Sequence, residues 1–158
     1  MHEIIVPDMR IVIQRVSEAS VSIGGEVHSA VGRGMMILVG VETGDTDDDA
    51  LWLADKTARL RIFPDDAGVM NLSITDIGGE VLAVSQFTLM ASTRKGNRPS
   101  YIRAGRPEMS SPLYDRFCLL LTERIGREVK RGVFGADMQV SLVNDGPVTI
   151  IIDSHLRE

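Results

Sequence analysis

From Arg10 to Ser17 (RIVIQRVS) and again from Ala19 to Ile23, apolar and polar positions alternate with the period of two that marks a half-buried strand. Gly24-Gly25 follows as a two-residue hairpin turn into a second arm, Glu26 to Val31. Gly34 to Val41 (GMMILVGV) is apolar nearly throughout and predicts a central strand covered on both faces. Thr43 to Asp49 is rich in aspartate but lacks the glycine and terminal glutamate spacing of a calcium loop. Those acids are placed instead at the N-terminus of a helix running from about Asp48 to Arg61, where the helix dipole favours negative charge. Leu51, Ala54 and Ala58, with Leu53 and Leu60, are read as its core face, and Pro64 as its end.

Asp65 to Gly68 reads as a turn, followed by Val69 to Asp76 and Glu80 to Met90 as a second strand pair around Gly78-Gly79. A second helix is predicted from about Ser111 to Ile125, with Ser111 as its cap and Pro112 at the first helical position. Leu113, Phe117, Leu120 and Leu121 share its inner face. Two final strands, Met138 to Val143 and Val148 to Asp153, flank a turn at Asn144 to Thr149. No repeat, low-complexity segment or linker interrupts the pattern, which describes an α+β domain of largely antiparallel sheet with two helices. The β pattern starts at Met9 or Arg10. The expected organisation is therefore an N-terminal extension over residues 1–8, one domain over 9–153, and a short tail over 154–158.

Composition narrows the class. A chain of 158 residues with 44% hydrophobic and 25% charged residues suits one soluble domain with a single core. No apolar run approaches the ~18 residues that a membrane helix requires, and MHEIIVPD has no basic segment that would make it a secretory signal. The single cysteine, Cys118, fits a reducing cytoplasm and is read as a buried small hydrophobe on a helix. His28 is read as an exposed strand residue. A net charge of −5 argues against a protein that coats nucleic acid, but charge is unevenly spread. Ser92 to Arg106 carries Arg94, Lys95, Arg98, Arg103 and Arg106 with no acid among them. A solvated loop accounts for this; its place directly after a polar cluster favours a contact with phosphates beside a pocket.

That polar cluster lies in Val81 to Ala91 (VLAVSQFTLMA), where four apolar residues run into Ser85, Gln86 and Thr88, interrupted only by Phe87. A buried strand has no cheap reason to hold it, since each unpaired polar group removed from water costs on the order of 1–3 kcal/mol. The second unusual stretch is Asn144 to Thr149 (NDGPVT), whose Gly146-Pro147 suits an ordinary turn or a cis peptide bond. No GxSxG elbow, P-loop, HExxH, CxxC or dinucleotide fingerprint is present, and no histidine stands in a triad or metal motif, so neither metal nor cofactor is expected. Hydroxyls, amides and backbone donors suit oxyanion stabilisation, and hydrolysis of an already activated ester is a reaction that runs this way.

SQFTLMA and NDGPVT together resemble the signature pair of the D-aminoacyl-tRNA deacylases. The similarity extends through the IQRV start, LVGVE, RIFPDDAGVMNLS, the RPSY of the basic loop and ADMQVSLVNDGPVT, in order, from about Met9 to Ile152. The resemblance implies a barrel-like core, no cofactor, and a cytoplasmic homodimer with each pocket at the subunit interface. It also implies a cis Gly146-Pro147 bond reaching into the neighbouring subunit's pocket, where its carbonyl groups meet the substrate α-amino group and its backbone rejects an L side chain. Mischarged glycyl-tRNA, achiral, is then an expected second substrate. By the same resemblance Ser85, Gln86, Phe87 and Thr88 form the catalytic segment. Phe87 receives the terminal adenosine, Gln86 with backbone N–H groups stabilises the oxyanion, and Thr88 is either nucleophile or bystander to a route assisted by the tRNA 2′-hydroxyl. Arg94, Lys95 and Arg98 become contacts for the acceptor end of aminoacyl-tRNA. The competing readings are a non-catalytic nucleic-acid-binding or interaction protein on the same fold, and a small-molecule ester hydrolase.

Overall fold

The computed structural model describes residues 6–157. Its sheet is assembled on β1 (Arg10–Ile23), which the sequence period anticipates as two consecutive strand segments. β1 pairs antiparallel with β2 (Glu26–Val31) through its C-terminal half, from Ala19↔Val31 to Ile23↔Glu26. Its N-terminal half pairs with β3 (Gly34–Gly40), from Arg10↔Gly40 to Val16↔Gly34. The last strand, β8 (Gln139–Asp153), pairs with both halves, from Arg10↔Asp153 to Ser22↔Gln139.

Helix α1 (Asp47–Arg59) and helix α2 (Pro107–Ile125) cover one sheet face. Two strands complete the sheet at its centre and far side, β6 (Glu80–Ser85) and β7 (Lys130–Arg131), each parallel to its neighbour. Alternation along β3 then divides the core. Met35, Ile37 and Val39 meet Leu53, Ala54, Phe117 and Leu121 of the helices, while Met36 joins Leu82 and Val84 on the opposite face. On that face Ala19 and Val21 of β1 and Val140 and Leu142 of β8 close over the cluster, so the sheet is nearly a closed barrel. The α+β architecture with two helices is as expected; the parallel pairing of β6 is not.

β6 does not form a hairpin with Val69 to Asp76. That segment instead supplies β5 (Met70–Leu72), which pairs with β4 (Phe63–Pro64) in a small separate ribbon. The reason is burial. Val81, Leu82, Ala83 and Val84 are all buried and need cover on both faces, which a place beside β3 provides, whereas Val69 and Met70 remain more than half exposed. Gly34 makes the approach possible, because a Cβ there would fall 1.8 Å from the Glu80 carbonyl oxygen. Residues 86–90, read as more of this strand, leave the sheet.

Both helices differ in their limits. In α1 the buried face is Ala50, Leu53, Ala54 and Thr57, and Leu51 points outward. The Asp49 carboxylate turns back to accept the Thr46 N–H at 2.8 Å, which sets the start of the helix and hence its rotation. The helix ends at Arg59, short of Pro64, which belongs to β4. α2 begins at Pro107 rather than Ser111, and Pro112 lies inside it. Leu113, Phe117, Leu120 and Leu121 are buried as expected, and Gly126 ends the helix with φ 71°. Cys118 is buried, which pushes its thiol up to about 11, and His28 is exposed.

Of the segment read as an N-terminal extension, residues 1–5 lie outside the described residues, while Asp8 is buried against the segment read as a tail. Asp8 Oδ1 accepts the His155 N–H at 2.6 Å, and Met9 and Ser154 exchange two bonds. His155 Nε2 reaches Asp49 Oδ1 at 2.8 Å, and the Arg157 guanidinium lies 4.0 Å above the Trp52 ring.

Asp8, Glu42, Asp45 and Asp49 thus gather as buried carboxylates. Burial raises Asp49, but bonds from Ser154 and Thr46 and the nearby His155 outweigh this and hold it below the ordinary range. Asp45 goes the other way. Burial pushes it from 3.8 up to about 7 against the bond from the Glu42 N–H, and the Asp49, Glu42 and Asp8 carboxylates add to the rise. A carboxyl raised in the folded state holds a proton that the unfolded chain has lost, so its contribution is present below pH 3.8 and disappears as pH rises to about 7. Asp45→Asn should therefore gain stability relative to the parent at pH 8, with the gap narrowing towards pH 5. Urea unfolding of both proteins at the two pH values measures it.

Candidate active site

Ser85 is the last paired residue of β6, opposite Val39, and the Gln86 N–H continues the ladder with one bond to the Val39 carbonyl at 2.8 Å. The chain then leaves the sheet in a single 3-10 turn, Phe87–Met90. Met90 is buried and anchors the turn, while Phe87 is 59% exposed. The exit is permitted by Gly40 on the neighbouring strand, since a Cβ there would lie 2.9 Å from both Leu89 Cβ and Met90 Cε. It is held from the other side by Arg10, whose guanidinium donates to the Leu89 carbonyl at 3.2 Å and to Asp153 at 2.7 Å. The polar cluster is thus not buried in a strand: Ser85 ends β6 half-buried, Gln86 and Thr88 lie where the chain turns out of the sheet, and the Gln86 amide donates to the Thr88 hydroxyl. The first N–H groups of such a turn have no partner within it.

Beneath the turn lies a cavity of about 530 Å³, within the usual range of roughly 300–1,000 Å³ for small-molecule sites. Ser85, Gln86 and Phe87 line it; Thr88 does not. Val39, Val41 and Val84 form an apolar floor, and α2 contributes Ser110 and Tyr114. Tyr114 donates its hydroxyl to the Ala83 carbonyl at 2.9 Å, and burial raises it well above the ordinary phenol range. The Ser110 hydroxyl is buried without a partner beside Gly105, whose absent Cβ would come within 2.6 Å of it. Phe134 to Ala136 close the far wall. The sequence reading missed these wall residues because they come from four distant segments, none with a local signature. Among the described residues no group of His, Cys, Asp and Glu side chains is arranged to hold a metal.

Asn144 to Thr149 is not a hairpin turn between two strands. β8 is continuous, and both ends of the segment pair with the same strand, Asn144 with Val16 and Thr149 with Gln14. Four residues, Asp145, Gly146, Pro147 and Val148, therefore stand opposite the single Arg15 and must leave the sheet plane. The Gly146-Pro147 bond is cis and Gly146 has φ 130°. Asn144 closes the base of the excursion, accepting the Val148 N–H and donating to the Thr149 hydroxyl, both at 3.0 Å. Arg15 pins its flank, donating to the Asp145 carbonyl at 3.0 Å and to the Ile62 carbonyl at 2.7 Å. Asp145, Gly146 and Pro147 are exposed, and none lines the cavity. Within one chain Ser85 to Phe87 and Asp145 to Pro147 do not form a single pocket.

Arg94, Lys95 and Arg98 are exposed on the loop between the 3-10 turn and α2 and stand outside the cavity wall. Ser92 and Ser100 bond reciprocally at 2.8 Å, closing the loop around them. Arg103 differs from its neighbours: it is paired with buried Glu42 at 2.8 Å, a bond that raises its pKa further.

Comparison with known proteins decides the family. The model of the family described as D-Tyr-tRNA(Tyr) deacylase matches residues 12–153. The chain belongs to this deacylase family. A relative named D-aminoacyl-tRNA deacylase from Porphyromonas gingivalis is 63% identical over 150 residues, covering 95% of this chain and all of the relative. The protein of the same name from Bacteroides thetaiotaomicron is 59% identical over the same coverage. Among solved structures, one titled c-Myc DNA Unwinding Element Binding Protein is 41% identical with a TM-score of 0.85, covering 90% of this chain and 97% of its own. A probable eukaryotic D-amino acid tRNA deacylase, 18% identical, shares the fold at a TM-score of 0.80 over 92% of this chain and 99% of its own.

The 3-10 turn and the Gly146-Pro147 excursion thus rest on separate supports, and each support is testable. Gly40→Ala should destabilise the protein by about 1–3 kcal/mol, the cost of forcing a methyl into a packed contact, read as a lowered urea midpoint. Arg15→Ala should leave the sheet paired but free the excursion. Hydrogen exchange should then accelerate over residues 144–149 while the flanking pairs of β8 with β1 keep their protection.

Proposed function

We propose that this protein hydrolyses the ester bond of D-aminoacyl-tRNA, releasing free tRNA and the D-amino acid, and spares the L form. The observation that carries the reading is that Ser85 and Gln86, where β6 passes into the 3-10 turn, line a largely apolar cavity, in a chain matched to the deacylase family over residues 12–153. The cavity takes the terminal adenosine. Phe87 lies at its rim, and the scissile ester rests against Ser85 to Thr88. Water attacks the ester carbonyl carbon, and the Gln86 amide with N–H groups at the start of the turn stabilises the oxyanion. The 3′-oxygen then leaves with a proton as the carbonyl reforms.

The base is supplied by the substrate. His28 is exposed on β2, His155 is engaged with Asp49, and neither lines the cavity. The Thr88 hydroxyl already accepts a bond from Gln86 and has no base of its own. The tRNA 2′-hydroxyl, adjacent to the ester, is therefore the group that orients and activates water.

Selection of the D form falls to Gly146 and Pro147 acting on the pocket of a second copy. The support is their exposure and their absence from the cavity of their own chain. Their backbone admits the α-amino group and leaves no room for an L side chain, which predicts a homodimer and leaves glycyl-tRNA as a substrate. Arg94, Lys95 and Arg98 hold the acceptor-stem backbone, giving affinity without sequence reading. Such a role belongs in the cytoplasm, where aminoacyl-tRNA is used.

Release of labelled tyrosine from matched D-tyrosyl-tRNA and L-tyrosyl-tRNA tests the reading: the D form should be lost and the L form spared. Gln86→Ala should cost about 10²–10³ in kcat, while Thr88→Ala retains most turnover; loss of turnover with intact fold and tRNA binding would instead make Thr88 the nucleophile. Joint replacement of Arg94, Lys95 and Arg98 by alanine should reduce the slope of log affinity against log salt by about 2–3. Loss of both tyrosyl-tRNA forms would remove the selector, and loss of neither would favour a binding protein.

A further inference from the structure

Phe87 and Tyr101 meet edge to face, with ring centroids 5.1 Å apart and planes at 72°. Phe87 lines the cavity and Tyr101 does not, so the second ring stands one step further out. Tyr101 is exposed, and Ile102 beside it is 85% exposed. An edge-to-face contact covers at most one face of one ring, and Phe87 and Tyr101 keep 59% and 39% of their surface exposed. The pair is also held in place. Ser92 and Ser100 close the loop immediately before Tyr101, the Tyr101 carbonyl accepts the Ala104 N–H at 3.0 Å, and Arg103 is tied to Glu42. An aromatic face fixed in advance loses little conformational freedom when a ligand covers it.

What surrounds the ring identifies the ligand. Arg94, Lys95 and Arg98 are exposed on the same loop, and no acid lies between Ser92 and Arg106. Open aromatic faces combined with unopposed cations suit a single-stranded nucleic acid, whose bases stack while its phosphates meet the cations. A protein partner for this patch would need acidic side chains and an apolar anchor together, whereas a nucleotide carries both features in one unit.

We infer that Tyr101 is a stacking site for the base of the nucleotide that precedes the terminal adenosine, so that the single-stranded 3′ end runs from the cavity over Phe87 to Tyr101 and on to the basic loop. This rests on the reading that the cavity holds the terminal adenosine. It adds a second base-binding position outside the cavity, one that tolerates any base because every base presents a π face.

The test compares two substrates, D-tyrosyl-tRNA and 3′-O-(D-tyrosyl)adenosine, which lacks the preceding nucleotide. Tyr101→Ala should lower kcat/KM on the tRNA about 5- to 150-fold more than on the adenosine ester, the span of one base-stacking contact. Tyr101→Phe, which keeps the ring, should restore it. A tRNA with 2-aminopurine in the penultimate position should lose fluorescence on binding the parent and the Phe variant but not the Ala variant. Equal losses on both substrates would mean that Tyr101 only supports Phe87, and no loss on either, or no quenching by the parent, would likewise overturn the inference. A parent protein inactive on both substrates gives a different pattern, one that overturns the deacylase reading and this inference with it.

Discussion

The pairing of β1 with β8 is the interaction on which the rest of the structure depends. β1 bonds to three strands, and its two arginines reach the 3-10 turn and the Gly146-Pro147 excursion from the same backbone. Arg10 holds the 3-10 turn through the Leu89 carbonyl, and Arg15 holds the Gly146-Pro147 excursion through the Asp145 carbonyl. Because the side chains are half-buried and bond to backbone acceptors, they fix position rather than add net surface charge. A slip of β8 along β1 by one residue would reverse the faces of β8 and carry the Asp145 carbonyl away from Arg15.

The excursion depends on an imbalance in that pairing. Between Gln14↔Thr149 and Val16↔Asn144, one residue of β1 faces four of β8. The surplus backbone cannot stay in the ladder, and its polar groups are met by Asn144 and Arg15, as displaced backbone requires. Gly146 is needed at its apex, since a Cβ would lie 2.9 Å from both the Arg15 guanidinium and Val148 Cγ2. The exposed backbone so produced is a projection bonded at its base by Asn144 and at its flank by Arg15.

A different arrangement joins the segments before β1 and after β8. They meet at the start of α1, where Asp8, Asp49, Ser154 and His155 are linked by hydrogen bonds and an ion pair. Glu42 links this group to Arg103 and so to the loop that presents Tyr101. The cost is Asp45, a buried carboxyl with one oxygen unpartnered. Its neighbours are acidic, and the protonated form relieves their repulsion.

The sequence by itself determined the hairpin of β1 and β2, the doubly covered β3, the inner face of α2 and the odd polar character of Ser85 to Thr88. Each of these is a local signal, either a period in hydrophobicity or a polar group where burial would penalise it. Its two signature segments were also enough to indicate the family. Only the tertiary structure decided that β6 runs parallel to β3, that Leu51 faces solvent, that α2 starts at Pro107, and that Asn144 to Thr149 is an excursion within one strand. These depend on which distant surfaces cover which. Apolar residues of β6 require burial on both sides, a glycine at position 34 lets its backbone approach, and the common partner β1 keeps both ends of Asn144 to Thr149 in one strand. The cavity wall belongs to the same class, since Val39, Ser110 and Phe134 share no local pattern and are neighbours only because the sheet and α2 pack as they do.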